Sequence, residues 1–440
     1  MASTSINRTP ASAGDMKKWT FSIWLKRAGI GAEQAIFSAY HSSDYYGYIR
    51  FNSDDTIEMF DYETTERYKL VTNRKFRDVG AWYHIVVNQD VENGTSGDRL
   101  KIWINGIRET SFSTANYPAT TVTSRINNAT PTQIGAYNSG SYFNGEMSHI
   151  QFVNAESLAP TEFGEVDATS GIWKIKTGAY ATPGTNGFFL KMEDRTNLDL
   201  DSSSNAYTFT TTGDITATYD NPSNNFCTMN SLDAQSSNGA GINYANGNTH
   251  VTDGDSNWRS SWGTLGESVG KYYYEAKVLA TSTNWGVGIC DVDQVVKGET
   301  KFWATSDGYG TNASTQKCNS GAEDAWGGIS IAQNDIVQCA LDLDNAKIYF
   351  GKNGTWIDSG DPTSGATGTG AAFTINTGGR IYLPAWAGYD TAAIMAFNFG
   401  NGYFATTAIS SEGTNASGIG SFEYDVPTGY TAWTTKGFNE

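Results

Sequence analysis

Two stretches of this chain alternate apolar and polar residues up to a tight turn, and that pattern constrains the fold more than any other feature. One is Leu100-Lys-Ile-Trp-Ile-Asn-Gly-Ile-Arg, where Asn105-Gly106 is the dipeptide that suits a two-residue hairpin turn. The other is Leu341-Asp-Leu-Asp-Asn-Ala-Lys-Ile-Tyr-Phe-Gly-Lys-Asn-Gly. Turns rich in Gly, Asn, Ser and Thr lie around both, and no long helical period appears. The chain therefore reads as all-β: two antiparallel β-sandwiches joined by an ordered strap, an architecture for display and binding.

The first module covers residues 1–160. In Trp19-Thr-Phe-Ser-Ile-Trp-Leu-Lys, the residues Trp19, Phe21, Ile23 and Leu25 share one face of a half-buried strand. Tyr48-Ile-Arg-Phe, Thr56-Ile-Glu-Met-Phe and Trp82-Tyr-His-Ile-Val-Val continue the pattern. Residues 161–235 are less regular, but Phe188, Phe189, Leu190, Phe226 and Met229 are too apolar for a free tether. The last module, 236–440, has strands at Gly270-Lys-Tyr-Tyr-Tyr-Glu and Asn284-Trp-Gly-Val-Gly-Ile-Cys. Gly286 and Gly288 are expected where a large ring or a neighbouring backbone crowds in.

Composition excludes several functions. Aromatic residues make up 13% and charged residues 17%, which suits short strands and turns rather than disorder. The formal charge of −17 comes with no run of Lys or Arg, so neither nucleic acid nor an anionic membrane surface is an expected partner. No segment of membrane-spanning length and apolarity is present, so no membrane insertion is expected. Cys227, Cys290, Cys318 and Cys339 form no metal-binding spacing, and their disulfide state is left open. The opening Met-Ala-Ser-Thr-Ser-Ile-Asn-Arg lacks the apolar core of a secretory signal. That leads to the expectation of a protein that leaves the cell by lysis or by assembly into a particle.

Catalysis finds little support. A glycosidase needs two carboxylates facing one cleft, and the nearest pattern, Glu165-Val-Asp167, lacks a third acid and lies in the strap. His41, His84, His149 and His250 share no metal-ligand spacing, and His84 is expected to pack against the sandwich. A sugar binder needs only aromatic faces and nearby amide or carboxylate groups. The loop His41-Ser-Ser-Asp-Tyr-Tyr-Gly-Tyr supplies both, with Asp44, Tyr45 and Tyr46 as the candidate contact. Trp103 lies opposite Leu100, Ile102 and Ile104 on its strand, so it faces outward. It serves as a packing contact, a subunit contact or a sugar platform.

The first module resembles a concanavalin-A-like jelly roll of the laminin-G type. The likeness rests on Trp19-Thr-Phe-Ser-Ile-Trp-Leu-Lys, Trp82-Tyr-His-Ile-Val-Val, Leu100-Lys-Ile-Trp-Ile-Asn-Gly and Phe143-Asn-Gly-Glu-Met-Ser in that order. The last module resembles a SPRY domain through Gly270-Lys-Tyr-Tyr-Tyr-Glu, Trp285-Gly-Val-Gly-Ile, Asp342-Leu-Asp-Asn-Ala-Lys-Ile-Tyr-Phe-Gly-Lys-Asn-Gly and Phe397-Asn-Phe-Gly. Thr185-Asn-Gly-Phe-Phe-Leu-Lys-Met, Leu198-Asp-Leu-Asp-Ser-Ser-Ser-Asn and Tyr219-Asp-Asn-Pro-Ser-Asn-Asn-Phe-Cys resemble a linker of structural proteins from tailed phages of marine bacteria.

The SPRY resemblance implies partner-binding loops at Ser306–Asn312, with Tyr309 and Asn312, and at Ala387–Thr391, with Tyr389 and Asp390. No close acidic cluster announces a metal, so no cofactor is expected; the laminin-G resemblance implies rim calcium as the alternative, with Asp54-Asp55 and Asp253-Gly-Asp255 the acids available to it. The phage resemblance implies a virion appendage protein, a head decoration, fibre or tail-associated component. It would be made in the infected bacterial cytoplasm and carried on the particle surface. Its partners would be other virion proteins, further copies of itself and a host-surface glycan or protein. The start of the chain almost at its first strand favours a compact appendage over a long fibre. A bacterial carbohydrate-binding or adhesion protein is the alternative reading, and a glycoside hydrolase the remote one.

Overall fold

The computed structural model describes residues 3–176, 178, 180, 182–232, 241–294 and 300–439. The chain divides into two compact units, Met1–Ala217 and Thr218–Glu440. Both are antiparallel β-sandwiches, and among the described residues the helical pieces are short 3-10 turns. The segment 161–235 is divided between the units, and its residues 233–235 lie outside the described ones.

In the first unit, among the described residues, one sheet runs Phe112–Asn116, Thr65–Lys75, Thr56–Glu63, Tyr45–Phe51, Gln34–Ser42, Thr132–Ile134, Ser5–Arg8, Thr210–Thr212. The other runs Phe188–Leu190, Gly145–Asn154, Lys18–Arg27, Trp82–Asp90, Leu100–Ile104, Ile107–Arg108. Alternation decides what fills the space between them. Trp19, Phe21, Ile23 and Leu25 meet Ile49, Phe51, Ile57, Met59 and Leu70 in one core. Asn105 and Gly106 carry φ of 49° and 79°, and Trp103 pairs with Arg108, which is the mirror-image hairpin turn expected of Asn-Gly.

The early part of the strap completes this sandwich. Phe188–Leu190 adds a strand beside Gly145–Asn154, and Thr210–Thr212 adds one beside Ser5–Arg8. Gly164–Val166 and Trp173–Ile175 form a hairpin over the outer face of the smaller sheet. Outward-facing Trp103 therefore packs, half-buried, in a cluster with Val86, Val153, Phe163, Leu158 and Tyr180. Under the same cover Trp24, His84 and Trp173 stack, with ring centroids 4.6 and 5.8 Å apart.

In the second unit, among the described residues, a larger sheet centres on Ile394–Asn398, Lys271–Val278, Ile336–Asp342 and Lys347–Lys352. It faces a smaller sheet of Arg259–Trp262, Tyr382–Gly388, Trp285–Asp291, Gly308–Asn312, Gln316–Asn319 and Ala322–Ala325. A Cβ on Gly286 would meet the Trp303 ring at 2.4 Å and one on Gly288 the Tyr309 carbonyl at 2.0 Å, so both glycines sit where crowding demands them. The strap's later part belongs here, with Phe226 bridging to Thr434 and Met229 to Gly263. The C-terminal stretch lays Phe422, Val426 and Tyr430 against Tyr273 and Tyr349, on the outer face of the larger sheet. Cys227, Cys290, Cys318 and Cys339 are free and buried.

One expectation is corrected at this level. Ser306–Asn312 was expected as a surface loop, but Gly308–Asn312 is a buried strand paired with Trp285–Asp291. Gly310 is needed for packing rather than turning, since a Cβ there would lie 2.6 Å from the Phe302 ring.

Candidate functional site

Strand geometry separates two of the candidate residues. Asp44 is exposed at the turn, where its carbonyl accepts the Thr64 N–H. Tyr45 and Tyr46 open the strand Tyr45–Phe51 as consecutive residues, so their rings leave opposite faces of the sheet. Tyr45 stays at the core-side rim, 6.3 Å from the His41 ring and 5.8 Å from the Arg125 guanidinium. The two tyrosines do not form one contact surface.

Tyr46 instead joins rings on the outer face that the sequence reading did not gather. Its centroid lies 5.2 Å from Tyr62, 5.6 Å from Tyr137, 5.8 Å from Phe60, 6.1 Å from Tyr48 and 6.4 Å from Tyr40. Register explains the cluster: Tyr40, Tyr46 and Tyr62 are direct cross-strand neighbours, and Tyr48 faces Phe60 one step along. Tyr48 and Phe60, beside them on the same face, are buried, while Tyr40, Tyr46, Tyr62 and Tyr137 remain partly exposed. The visible signal was the i, i+2 spacing of Tyr46 with Tyr48 and of Phe60 with Tyr62, split between two strands.

A closed charge network borders the rings. Arg50 lies 2.9 Å from Glu33 and 3.4 Å from Glu58, and Lys69 lies 3.3 Å from Glu58. The Arg50 guanidinium also sits 4.5 Å over the Tyr48 ring. The Tyr48 hydroxyl donates to Glu58 Oε1 at 3.1 Å. Burial, then the nearby Glu58 charge, holds the Tyr48 phenol well above its usual range, and burial does the same for Tyr137.

In the second unit two candidates lie inside and two at the surface. Tyr309 is only 6% exposed and packs 5.3 Å from Phe373 and 6.2 Å from Tyr382; its hydroxyl accepts the Asn376 N–H. It is a core residue, which corrects its expected place in a contact loop. Asn312 is 9% exposed, and its side chain binds Ser314 N, Gln316 N and Gln316 Oε1, so it organises a turn. Tyr389 is 37% exposed, 5.7 Å from Trp258. Asp390 accepts from Ser282 Oγ at 2.8 Å and Asn284 Nδ2 at 3.2 Å. Trp258, missed in the sequence, also carries Lys301 4.4 Å over its ring.

The acids considered for calcium are engaged elsewhere. Asp55 lies 3.1 Å from Arg27 and 3.0 Å from Arg77 and accepts the Gly31 N–H. Asp54 closes its own turn through Thr56. Asp253 and Asp255 share Arg259 at 3.4 and 2.6 Å. Among the described residues no group of three or more His, Cys, Asp or Glu is placed to hold a metal ion. Glu165 and Asp167 both lie against Lys174, at 3.4 and 3.0 Å, rather than across a cleft from one another.

Residues 3–162 match the family described as the Concanavalin A-like lectin/glucanases superfamily, and residues 271–401 match the SPRY domain. The chain thus carries one lectin-type and one SPRY-type binding domain. No curated protein matches it. Among solved structures, the SPRY domain of human HERC1 is similar at 19% identity, covering 38% of this chain and 96% of that one with a TM-score of 0.31. A SAP-like pentraxin from Limulus polyphemus is similar at 14% identity, covering 36% and 73% with a TM-score of 0.25. Domain 4 of AbnA, an extracellular arabinanase from Geobacillus stearothermophilus, is similar at 17% identity, covering 33% and 64% with a TM-score of 0.26.

Proposed function

We propose that this chain is a binding protein of a phage particle, a head decoration, fibre or tail-associated component that displays two recognition sandwiches toward the host surface. The observation that carries the binding part is the pair of partly exposed aromatic surfaces, one around Tyr46 and one at Trp258 and Tyr389, each on a binding fold. Tyr and Trp offer large contact area at low entropic cost. The particle part is supported by the strap's resemblance to phage structural proteins. The chain acts as one copy of a homo-oligomer among other virion proteins.

Mass spectrometry of density-purified particles tests the assignment. The chain is expected in the particle fraction at a fixed ratio to the other virion proteins. Recovery only from the soluble lysate would overturn it and favour a bacterial carbohydrate-binding or adhesion protein.

A further inference from the structure

We infer that Asn246 is a site of spontaneous covalent modification: its side-chain amide is lost through a cyclic imide, the residue becomes isoaspartate or aspartate, and the change loosens the anchor of Met229. The reaction needs no partner but water and concerns the second unit alone.

The chemistry is local. The Gly247 backbone nitrogen gives up its proton to hydroxide and attacks Asn246 Cγ. A C–N bond forms, the Cγ–Nδ2 bond breaks, and ammonia leaves. Water then opens the imide at either carbonyl, giving aspartate or, with the main chain rerouted through Cγ, isoaspartate. A following glycine leaves the attacking nitrogen unshielded. Asn-Gly occurs eight times in the chain, and Asn238-Gly239 lies outside the described residues. For the other seven the fold decides which can react.

Six are held. Asn105 Oδ1 accepts the His84 N–H at 2.7 Å. Asn353 accepts the Ile336 N–H at 2.8 Å and donates to Asp335 at 2.6 Å. Asn186 is buried and donates to the Ser12 carbonyl at 3.0 Å, and buried Asn401 accepts the Phe399 N–H at 3.1 Å. Asn93 closes its own turn on the Thr95 N–H at 2.9 Å. Asn144 is walled in differently. Its Nδ2 would lie 2.5 Å from a Cβ on Gly29, and Gly145 is paired with Arg27 inside the sheet.

Asn246 is exposed, and among the described residues its side chain has no hydrogen-bond partner. Its turn joins Asn243–Ala245 to His250–Thr252, three-residue strands at the edge of the larger sheet, where local opening costs least. Asn246, Gly247 and Asn248 carry φ of 51°, 66° and 63°, and the left-handed region is unfavourable for the two asparagines, so opening also relieves strain. The same turn holds the strap, since the Asn248 carbonyl accepts the Met229 N–H at 2.9 Å. Isoaspartate inserts an extra carbon into the main chain two residues before that carbonyl and shifts it.

Peptide mass spectrometry of the full chain held in mildly alkaline buffer, with isoaspartyl methyltransferase labelling as the second readout, tests the inference. Asn246 is expected to convert first, roughly fivefold or more ahead of the other six described pairs, the factor that one net hydrogen bond sets. In urea the seven rates should converge, because sequence alone then acts. Asn246→Gln, whose longer side chain closes a larger ring far more slowly, should remove the early product, with its melting temperature showing that it has folded. Converted chain, separated by ion exchange, should be cleaved faster around Met229 than fresh chain. Earlier conversion at another described pair, equal rates at all seven in the folded chain, or an early product that survives Asn246→Gln overturns the assignment of the site. Unchanged cleavage around Met229 overturns its coupling to the strap.

Discussion

His84 has a protonation state that follows from its neighbours. The Trp173 indole N–H can only donate, and it points at His84 Nδ1 from 2.9 Å. Nδ1 is therefore the acceptor, the proton sits on Nε2, and Nε2 donates to Ser22 Oγ at 2.9 Å. Burial pushes the imidazole down from 6.5 to about 3. Below 6.5 the unfolded chain takes up a proton that the fold refuses, so this contribution is present above 6.5 and is lost as pH falls toward 3. The limiting slope is roughly 1.4 kcal/mol per pH unit. His84→Gln keeps a side-chain acceptor and removes the titration, so its melting temperature should fall less steeply between pH 6.5 and 4 in scanning fluorimetry. Glu275 has the opposite sign. Burial raises it from 4.5 to about 7, so its contribution is full below 4.5 and is lost as pH rises through 7. Its oxygens accept from Glu423 N, Tyr424 N, Tyr273 OH and Asn398 Nδ2 at 2.8 to 3.2 Å, fastening the C-terminal stretch to the sheet. Glu275→Ala orphans these donors and should cost about 3 kcal/mol in urea unfolding. The packing of His84 against the sandwich was legible in its strand pattern. The burial of Tyr309 was not, because Gly-Tyr-Gly-Thr-Asn has the composition of a turn and only the Phe302 ring beside Gly310 reveals a strand.

At the scale of elements, local rules and tertiary cover contributed differently. The Asn105-Gly106 hairpin and the strand at Trp19 followed from turn chemistry and alternation alone. The second candidate loop was partly legible: Tyr389 and Asp390 do lie at the surface. The joint Tyr45–Tyr46 contact failed on a rule already available, that adjacent strand residues point apart. The Tyr46 cluster was hidden for another reason, since it needs the register of three strands and a tyrosine from a fourth segment. The hairpin holding Trp173 was likewise not readable, because it is defined by what it covers. A Cβ on Gly106 would lie 2.7 Å from the Trp173 ring, and Gly106 has φ of 79°. Gly106→Ala should therefore cost about 1–3 kcal/mol and loosen the Trp173 hairpin, seen as earlier tryptic cleavage after Lys174 or Lys176. The strap gives a companion test. With Phe188–Leu190 paired in the sheet and Phe226 and Met229 buried, brief proteolysis should spare both stretches. Cutting there first would show a tether.

For the whole molecule, under the proposed particle assignment, the decisive quantity would be how many copies act together. A sandwich face with partly exposed rings and a balanced charge network makes a shallow contact, and a single copy would dissociate readily. The formal charge of −17 adds no attraction toward an anionic cell surface. Display on a particle, if the proposed assignment holds, would change the arithmetic without a new contact, because several tethered copies raise the effective concentration of each face and gain roughly 10² or more in avidity. Adsorption should then respond to valency more strongly than to any one site. Chain coupled densely to beads should capture host cells, and beads carrying Tyr46→Ala should capture fewer of them, since many copies multiply a loss at each face. Soluble chain should block bead capture only at roughly a hundredfold excess over the coupled sites. If soluble chain blocks at parity, one copy suffices and display in many copies has another purpose.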